Sequence, residues 1–412
     1  MTEGQRISQR RRACPIIPPP MSSAPIPAAV PKRSMRSRAR DFWARVTEGL
    51  EIEQLWGQFR AEAEASYGLY SKDVNWDVIR SEKKRWKRPL LAGWALFQTL
   101  LMKLSPARRV LLLVAIVLLV VQPEIHTGEA QISFSLGGLG ALILFLLLAL
   151  ELADRVTMKR DLEIAREIQQ WLVPNDPPHV PGADIAFATR PQNTVAGDYY
   201  DAFTRPVPGG AAANTGPLII AVADVAGKSV PAALLMATFQ ASLRALAATP
   251  ASLDEIVAGL ERYARAHSLE GRRFTTAFIA EIDPATRELR YVNAGHNDPI
   301  LRRASGQIER LSTGGPPLGL PLFTPEEIPY QSGRDQLQPG DLLFIFTDGV
   351  VEAVNQSEEE YGERRLLPCL QAAPVENSAA DVLRRVMFDV NSFVGQVRQH
   401  DDITCLVLRV TA

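Results

Sequence analysis

Two uninterrupted apolar runs stand close together before the middle of the chain: VLLLVAIVLLVV, Val110 to Val121, and ISFSLGGLGALILFLLLAL, Ile132 to Leu150. The second has nineteen residues without a charge. As an α-helix such a run is roughly 28 Å long, close to the thickness of a hydrocarbon core. The first is shorter, but Ala107, the apolar stems of Arg108 and Arg109, and Ile125 extend it. Together they read as a transmembrane hairpin with spans at about 107–125 and 132–152; a buried core helix is the alternative for the first run. Ser133, Gly137 and Ala141 recur every fourth residue, a face of small side chains on which two spans can pack closely.

Charge agrees with this reading. The totals of 45 Lys+Arg and 46 Asp+Glu give −1, but residues 1–109 hold 21 basic against 10 acidic residues and the remainder 24 against 36. The connection QPEIHTGEAQ carries Glu124 and Glu129 and no Lys or Arg. Lys83, Lys84, Arg85, Lys87, Arg88, Lys103, Arg108 and Arg109 precede the hairpin, and Arg155, Lys159 and Arg160 follow it. Positive residues stay on the cytoplasmic side, so both ends of the hairpin are expected in the cytoplasm, under an inner or cytoplasmic membrane. A basic third of this kind also suits nucleic acid, but its position beside the spans makes anionic lipid the expected partner and no nucleic acid is expected. Residues 1–40, where Arg10 to Arg12 run into IIPPP and PIPAAVP, lack the apolar core of a signal peptide and are expected to be a disordered basic, Pro-rich tail. Residues 41–106 read as a helical juxtamembrane region.

Beyond the hairpin, helical periodicity continues through a linker at 154–173. Met158, Leu162, Ala165, Gln169 and Leu172 form one stripe, and Ile164, Ile168 and Trp171 a second. Two stripes predict two contacts, one with the following domain and one with a partner helix in a homodimer. Pro174, Pro177, Pro178 and Pro181 end the helix. From there to residue 412 apolar strands alternate with helices: strands at 185–189, 218–223, 275–282, 289–293, 298–302, 342–347 and 403–410, helices at 231–247, 253–266, 363–371 and 379–394. Short turns such as DPATRE join strands directly, so an α+β sandwich is expected rather than a doubly wound parallel sheet.

Several of these strands meet an aspartate at an end. Asp224 closes LIIAVAD, Asp348 closes LLFIFTD, Asp401 and Asp402 open DDITCLVLRV, and Asp198 lies in VAGDYYD. Any one of them could mark a turn. Aspartates in these four motifs together predict carboxylates converging at one edge, where they repel unless cations neutralise them. Hard oxygen donors favour Mg²⁺ or Mn²⁺, and two such ions about 4 Å apart can activate a bridging water for in-line attack on phosphorus without a protein nucleophile. Other chemistries lack their residues. The five His form no HExxH, no GxSxG occurs, and Cys14, Cys369 and Cys405 are too scattered for a disulfide framework or a metal knuckle. AGKS at 226–229 follows a strand as a phosphate-binding loop would, but Val222 stands where its first Gly is required.

The segments AREIQQWLVP, VAGDYYD, DVAGKSVPAALLMA, TTAFIAEID, YVNAGHNDPIL, GGPPLGL, GDLLFIFTDGVVEAVN and HDDITCLVLRV occur in an order that resembles the PPM-type protein serine/threonine phosphatases of the stage II sporulation protein E-like branch. The resemblance runs from about residue 160 to the end. It implies a β-sandwich flanked by helices with two Mn²⁺ or Mg²⁺ ions at one edge. By motif, Asp224 would bridge both ions, the Val225 carbonyl would hold one, Asp348 and Asp401 would complete the pair, and Asp198 would bind directly or through water. Asp401 is chosen over Asp402 as the first position of the family's DD motif. The implied substrate is phosphoserine or phosphothreonine on a regulatory protein such as an anti-sigma-factor antagonist, and the AREIQ helix resembles a switch. A catalytically weak relative that keeps the fold and only binds a phosphoprotein is the alternative. Two positions depart from the family's pattern: Ser229 in DVAGKS replaces a Gly, and Asp298 stands where Pro is commoner. His296 in NAGHND is read as a structural hydrogen-bonder rather than a general acid.

Overall fold

The computed structural model describes residues 87–121, 126–127, 130–131, 136–206, 216–227, 229–268, 273–321 and 330–412. The expected tail at 1–40 and residues 41–86 of the juxtamembrane region lie outside the described residues. The chain divides into two compact units, residues 1–147 and 148–412.

In the first unit, α1 (Lys87–Lys103) is followed by α2 (Pro106–Val120). Pro106 opens α2, where its missing N–H has no intrahelical partner to lose. The strands β1 (His126–Thr127) and β2 (Ala130–Gln131) pair antiparallel, and α3 begins at Gly137. Residues 107–120 and 137–152 of the two expected spans are therefore helical, whereas 122–125 and 132–135 lie outside the described residues. The helices meet at Gly140: a Cβ there would lie 2.9 Å from the Ala115 carbonyl oxygen. The absent side chain at Gly140 lets a neighbouring backbone touch the helix; Ser133 of the expected Ser133, Gly137 and Ala141 face lies outside the described residues.

The helix α3, Gly137–Leu172, runs unbroken for 36 residues into the second unit. Leu162, Ala165, Gln169 and Leu172 are partly covered, while Ile164, Ile168 and Trp171 are exposed, Trp171 by 79%.

The second unit is a sandwich of two antiparallel-rich sheets with helices on both outer faces. One sheet runs β10 (Gly314–Gly315), β7 (Glu288–Ala294), β6 (Thr275–Ile282), β5 (Leu218–Val225), β4 (Tyr199–Thr204), with β11 (Gly333–Gln336) also on β7. The other runs β3 (Ala183–Arg190), β13 (Ile403–Val410), β12 (Leu342–Phe346), β8 (Ile300–Arg302), β9 (Ile308–Arg310). The strand LIIAVADV shows why both faces must be covered. Leu218, Ile220 and Val222 point between the sheets, beside Leu343, Ile345 and Leu406, whereas Ile219, Ala221 and Ala223 point outward to the helices.

Outside the first sheet lie α4 (Val230–Ala247) and α5 (Leu253–Ala266). By length and composition α4 is apolar enough to cross a membrane, but here Met236, Phe239, Leu243 and Ala247 are buried in the core against β5 and β6. Outside the second sheet, α8 (Ala379–Val394) buries Val382, Val386 and Val390 on Phe344 and Val407, with α7 (Gly362–Gln371) beside it. Both α5 and α8 begin with reciprocal capping boxes, Ser252 with Glu255 and Ser378 with Asp381.

Candidate active site

Strand register brings the acidic residues to one edge. In the first sheet Tyr199 pairs with Ala223, so Asp198 and Asp224, each one residue farther toward that edge, become neighbours. In the second, Phe346 pairs with Cys405, and the ladder continues outward through a hydrogen bond from the Thr347 amide to the Thr404 carbonyl of 3.0 Å. Asp348 and the pair Asp401–Asp402 lie just beyond. Asp348 opens the short helix α6 (Asp348–Val351).

Two glycines permit this convergence. A Cβ on Gly349 would lie 2.0 Å from the Asp402 carbonyl oxygen, so only Asp-Gly allows Asp348 to sit against the Asp401–Asp402 segment. A Cβ on Gly197 would lie 3.3 Å from the Val225 carbonyl oxygen and 3.4 Å from Ala232, which sets the Asp198 loop directly on the end of β5. The Val225 carbonyl thus borders the acidic edge.

The loop carrying Asp198 is held from three sides. Asp402, buried, accepts from the Gln192 and Gly197 amides at 2.6 Å each. Thr347 Oγ1 donates to Asp198 Oδ2 at 2.9 Å and accepts from the Thr404 amide at 3.0 Å. From α3, the Gln169 side chain donates to the Ala196 carbonyl at 2.7 Å and accepts from its amide at 2.9 Å. Thus Asp402 is committed to backbone amides, and Asp401 is the member of the pair that lines an adjoining cavity.

These carboxylates repel. Burial, reinforced by Asp348, Asp401 and Asp402, raises the Asp224 pKa to about 7. Asp198 is pushed well above the ordinary carboxylate range, by burial first and then by Asp224, with hydrogen bonds from Thr404 and Thr347 partly opposing. Asp402 is raised by burial, less so because its backbone donors favour the charged form. Every charge that perturbs Asp224 is negative. Among the described residues no three carboxylate, imidazole or thiolate groups form a closed metal cage. The donors nonetheless fit a hard divalent cation: four carboxylates and a backbone carbonyl border one edge and destabilise one another when ionised.

His296 is separate from this work. It is buried, with Nδ1 3.1 Å from Thr276 Oγ1 and its backbone amide donating to Asn293 Oδ1 at 2.8 Å. Burial lowers its pKa to about 4, so it is neutral near pH 7. Asp298 accepts from Asn293 Nδ2 at 2.9 Å and completes the same loop. The turn after Val225 contains Ser229 at φ 65° and ψ −148°, a conformation that suits glycine.

Sequence reasoning missed Thr347 and Gln192; a hydroxyl residue beside an aspartate in FTDG was the one available signal for Thr347. Gln169 belongs to the α3 stripe expected to face the following domain, but its partner Ala196, 27 residues away, was not legible.

Residues 214–411 match the family model of stage II sporulation protein E. Protein IcfG of Synechocystis sp. is 26% identical over 321 residues, 69% of this chain and 48% of that protein. The chain therefore spans about half the length of that relative. Phosphoserine phosphatase RsbU of Bacillus subtilis is 27% identical over 252 residues, 61% of this chain and 70% of that protein. The SiaA-PP2C domain of Pseudomonas aeruginosa superposes with a TM-score of 0.52 at 18% identity, covering 62% of this chain and 98% of that domain. The sandwich is thus a PP2C-like α+β fold, and within it residues 214–411 are similar to the stage II sporulation protein E family.

Proposed function

We propose that the chain is a metal-dependent protein phosphatase that hydrolyses phosphoserine or phosphothreonine on a regulatory protein. The observation that carries this reading is the convergence of Asp224 with Asp348 and Asp401 at one sandwich edge, where burial, reinforced by the neighbouring carboxylates, raises Asp224 to about 7. Asp198, Asp224, Asp348, Asp401 and the Val225 carbonyl would hold two Mn²⁺ or Mg²⁺ ions. Bound there, such cations would supply an activated water and would neutralise charge on the phosphoryl group. The chain's own residues position that chemistry: Thr347 orients the Asp198 carboxylate, Asp402 fixes its loop through two amides, and neutral His296 braces the neighbouring loop.

RsbU is named a phosphoserine phosphatase, which supports phosphoserine as the group hydrolysed; a regulatory protein such as an anti-sigma-factor antagonist is the substrate proposed to carry it. The Gln169 contact makes α3 a candidate switch, since displacing the helix would pull on Ala196, two residues from Asp198. Exposed Ile164, Ile168 and Trp171 on α3 support homodimerisation through that helix. Exposed apolar side chains along α2 (Val110, Leu113, Val117, Val120) and α3 (Leu139, Leu142, Phe145, Leu146) support membrane anchoring, with the catalytic unit in the cytoplasm.

The test is hydrolysis of a phosphoserine protein by the full chain in detergent with Mn²⁺. Asp224→Asn and Asp348→Asn should each abolish turnover and weaken Mn²⁺ binding by calorimetry; turnover surviving in both would overturn the metal mechanism. Recovery of the tagged protein in the soluble fraction would contradict anchoring.

A further inference from the structure

A cavity of about 240 Å³ adjoins Asp401 and Gly349, between the end of β3, the segment after α6 and the C-terminal end of α8. Two arginines are among the residues that line it, Arg190 and Arg398. Arg190 Nε donates to Gln399 Oε1 at 2.5 Å and Nη1 to Asn391 Oδ1. Gln399 in turn donates through Nε2 to the Arg190 carbonyl at 2.7 Å and to the Asp401 carbonyl, tying the arginine to the acidic edge.

Neutral amide oxygens hold this guanidinium without neutralising it. Among the described residues neither Arg190 nor Arg398 lies within ion-pair distance of a carboxylate. Elsewhere in the same unit the pattern differs: Arg205 pairs with Glu281 at 2.5 Å, Arg244 with Asp201 at 2.7 Å and Arg303 with Asp335 at 2.6 Å. Arg190 is partly buried, so it has lost hydration without gaining a counter-ion. An incoming anion would gain charge-assisted hydrogen bonds from a fixed donor fork and break no internal ion pair. Glu352 and Asp401 also line the cavity; Asp401 is assigned above to the cations. The cavity is smaller than the roughly 300–1,000 Å³ of small-molecule sites, which suits a single side chain.

We propose that this cavity is a subsite for an acidic side chain of the substrate, close in sequence to the phosphoserine, with Arg190 and Arg398 receiving its carboxylate while the phosphoserine occupies the edge at Asp401. The inference rests on the phosphatase reading and adds a rule of substrate choice to it.

The experiment is a set of phosphoserine peptides in which a single Asp or a single Lys is moved through the three positions on either side of the phosphoserine, assayed with the full chain and Mn²⁺. The wild type should prefer Asp over Lys at one position by roughly tenfold in kcat/KM, the scale of one charge-assisted contact. In Arg398→Glu and Arg190→Glu that ratio should fall to near one or invert. Because each ratio compares two peptides on one enzyme, partial loss of folded protein does not alter it. Equal turnover of Asp and Lys peptides at every position would overturn the subsite while leaving the phosphatase reading intact. An acid preference unchanged in both variants would also overturn it. Turnover of no peptide, nor of a phosphoserine protein, would instead count against the phosphatase reading.

Discussion

The turn between β5 and α4 gives a stability prediction whose sign and size follow from the backbone. Ser229 has φ 65° and ψ −148°, close to a region that L-residues occupy at a cost of about 1–3 kcal/mol. Its side chain makes no capping hydrogen bond to the helix that begins at Val230, so removing the hydroxymethyl group sacrifices no such contact. Ser229→Gly should release the strain. Against this stands the greater freedom of glycine in the unfolded chain, worth about 0.4–1 kcal/mol. The net expectation is a gain of about 0.5–2 kcal/mol, or roughly 2–6 °C in the thermal midpoint of a unit this size. Thermal unfolding of the full chain in detergent with chelator, followed by near-ultraviolet circular dichroism, measures it. Ser229→Ala is the control, because alanine keeps the Cβ that the conformation disfavours and should match the wild type. A glycine variant no more stable than the alanine variant would refute the argument from strain.

Other consequences concern the acidic edge and its supports. Gln169→Ala leaves the Ala196 amide and carbonyl without their side-chain partner, so it should cost about 1–3 kcal/mol and speed hydrogen exchange at residues 195–198; unchanged exchange there would separate α3 from the loop. Asp224→Asn should raise the thermal midpoint in chelator near pH 8 and eliminate the rise that Mn²⁺ gives the wild type. The sign follows from a folded pKa of about 7 against 3.8: the folded state holds the proton more tightly, so its stability falls as pH rises through that window, by up to about 4 kcal/mol. For His296 the folded pKa is depressed from 6.5 to about 4, so the unfolded state takes up the proton first; its contribution, roughly 3 kcal/mol, is present above pH 6.5 and lost on acidification toward 4. Denaturation of His296→Gln across that range should show a correspondingly flatter acid limb.

The sandwich was legible because its strands are apolar on both faces. LIIAVADV, TTAFIAEI and ITCLVLRV stand out by composition alone, and the β-branched and apolar runs fix them as buried strands. Asp224, Asp348 and Asp401 could be located because each interrupts such a run at its end, where a carboxylate can reach the surface. The short strands β9, β10 and β11, of three, two and four residues, carry too few positions for periodicity to register. Asp401 and Asp402 were inseparable in sequence since they are adjacent and identical; the hydrogen bonds from Gln192 and Gly197, which distinguish them, depend on β3 lying beside β13. Thr347 was missed for the same reason. Its contact with Asp198 joins the two sheets across 149 positions of sequence.

This division between adjacent aspartates has a physical logic. Two backbone amides favour the charged form of Asp402 and offset part of the burial that raises its pKa. Asp224 has a different environment: burial and three neighbouring carboxylates oppose its ionisation, so at neutral pH it must hold a proton or acquire a positive neighbour. A divalent cation would satisfy that demand at once for several groups. Asp402 acts one step back, spending its charge on the loop that presents Asp198, while Thr347 and Gln169 hold the same loop from the second sheet and from α3. The edge is thus built of carboxylates left electrostatically unsatisfied on a support whose own polar groups are paired. Such a support keeps the donors near one another despite their repulsion, and Gln169 ties its Asp198 loop to α3.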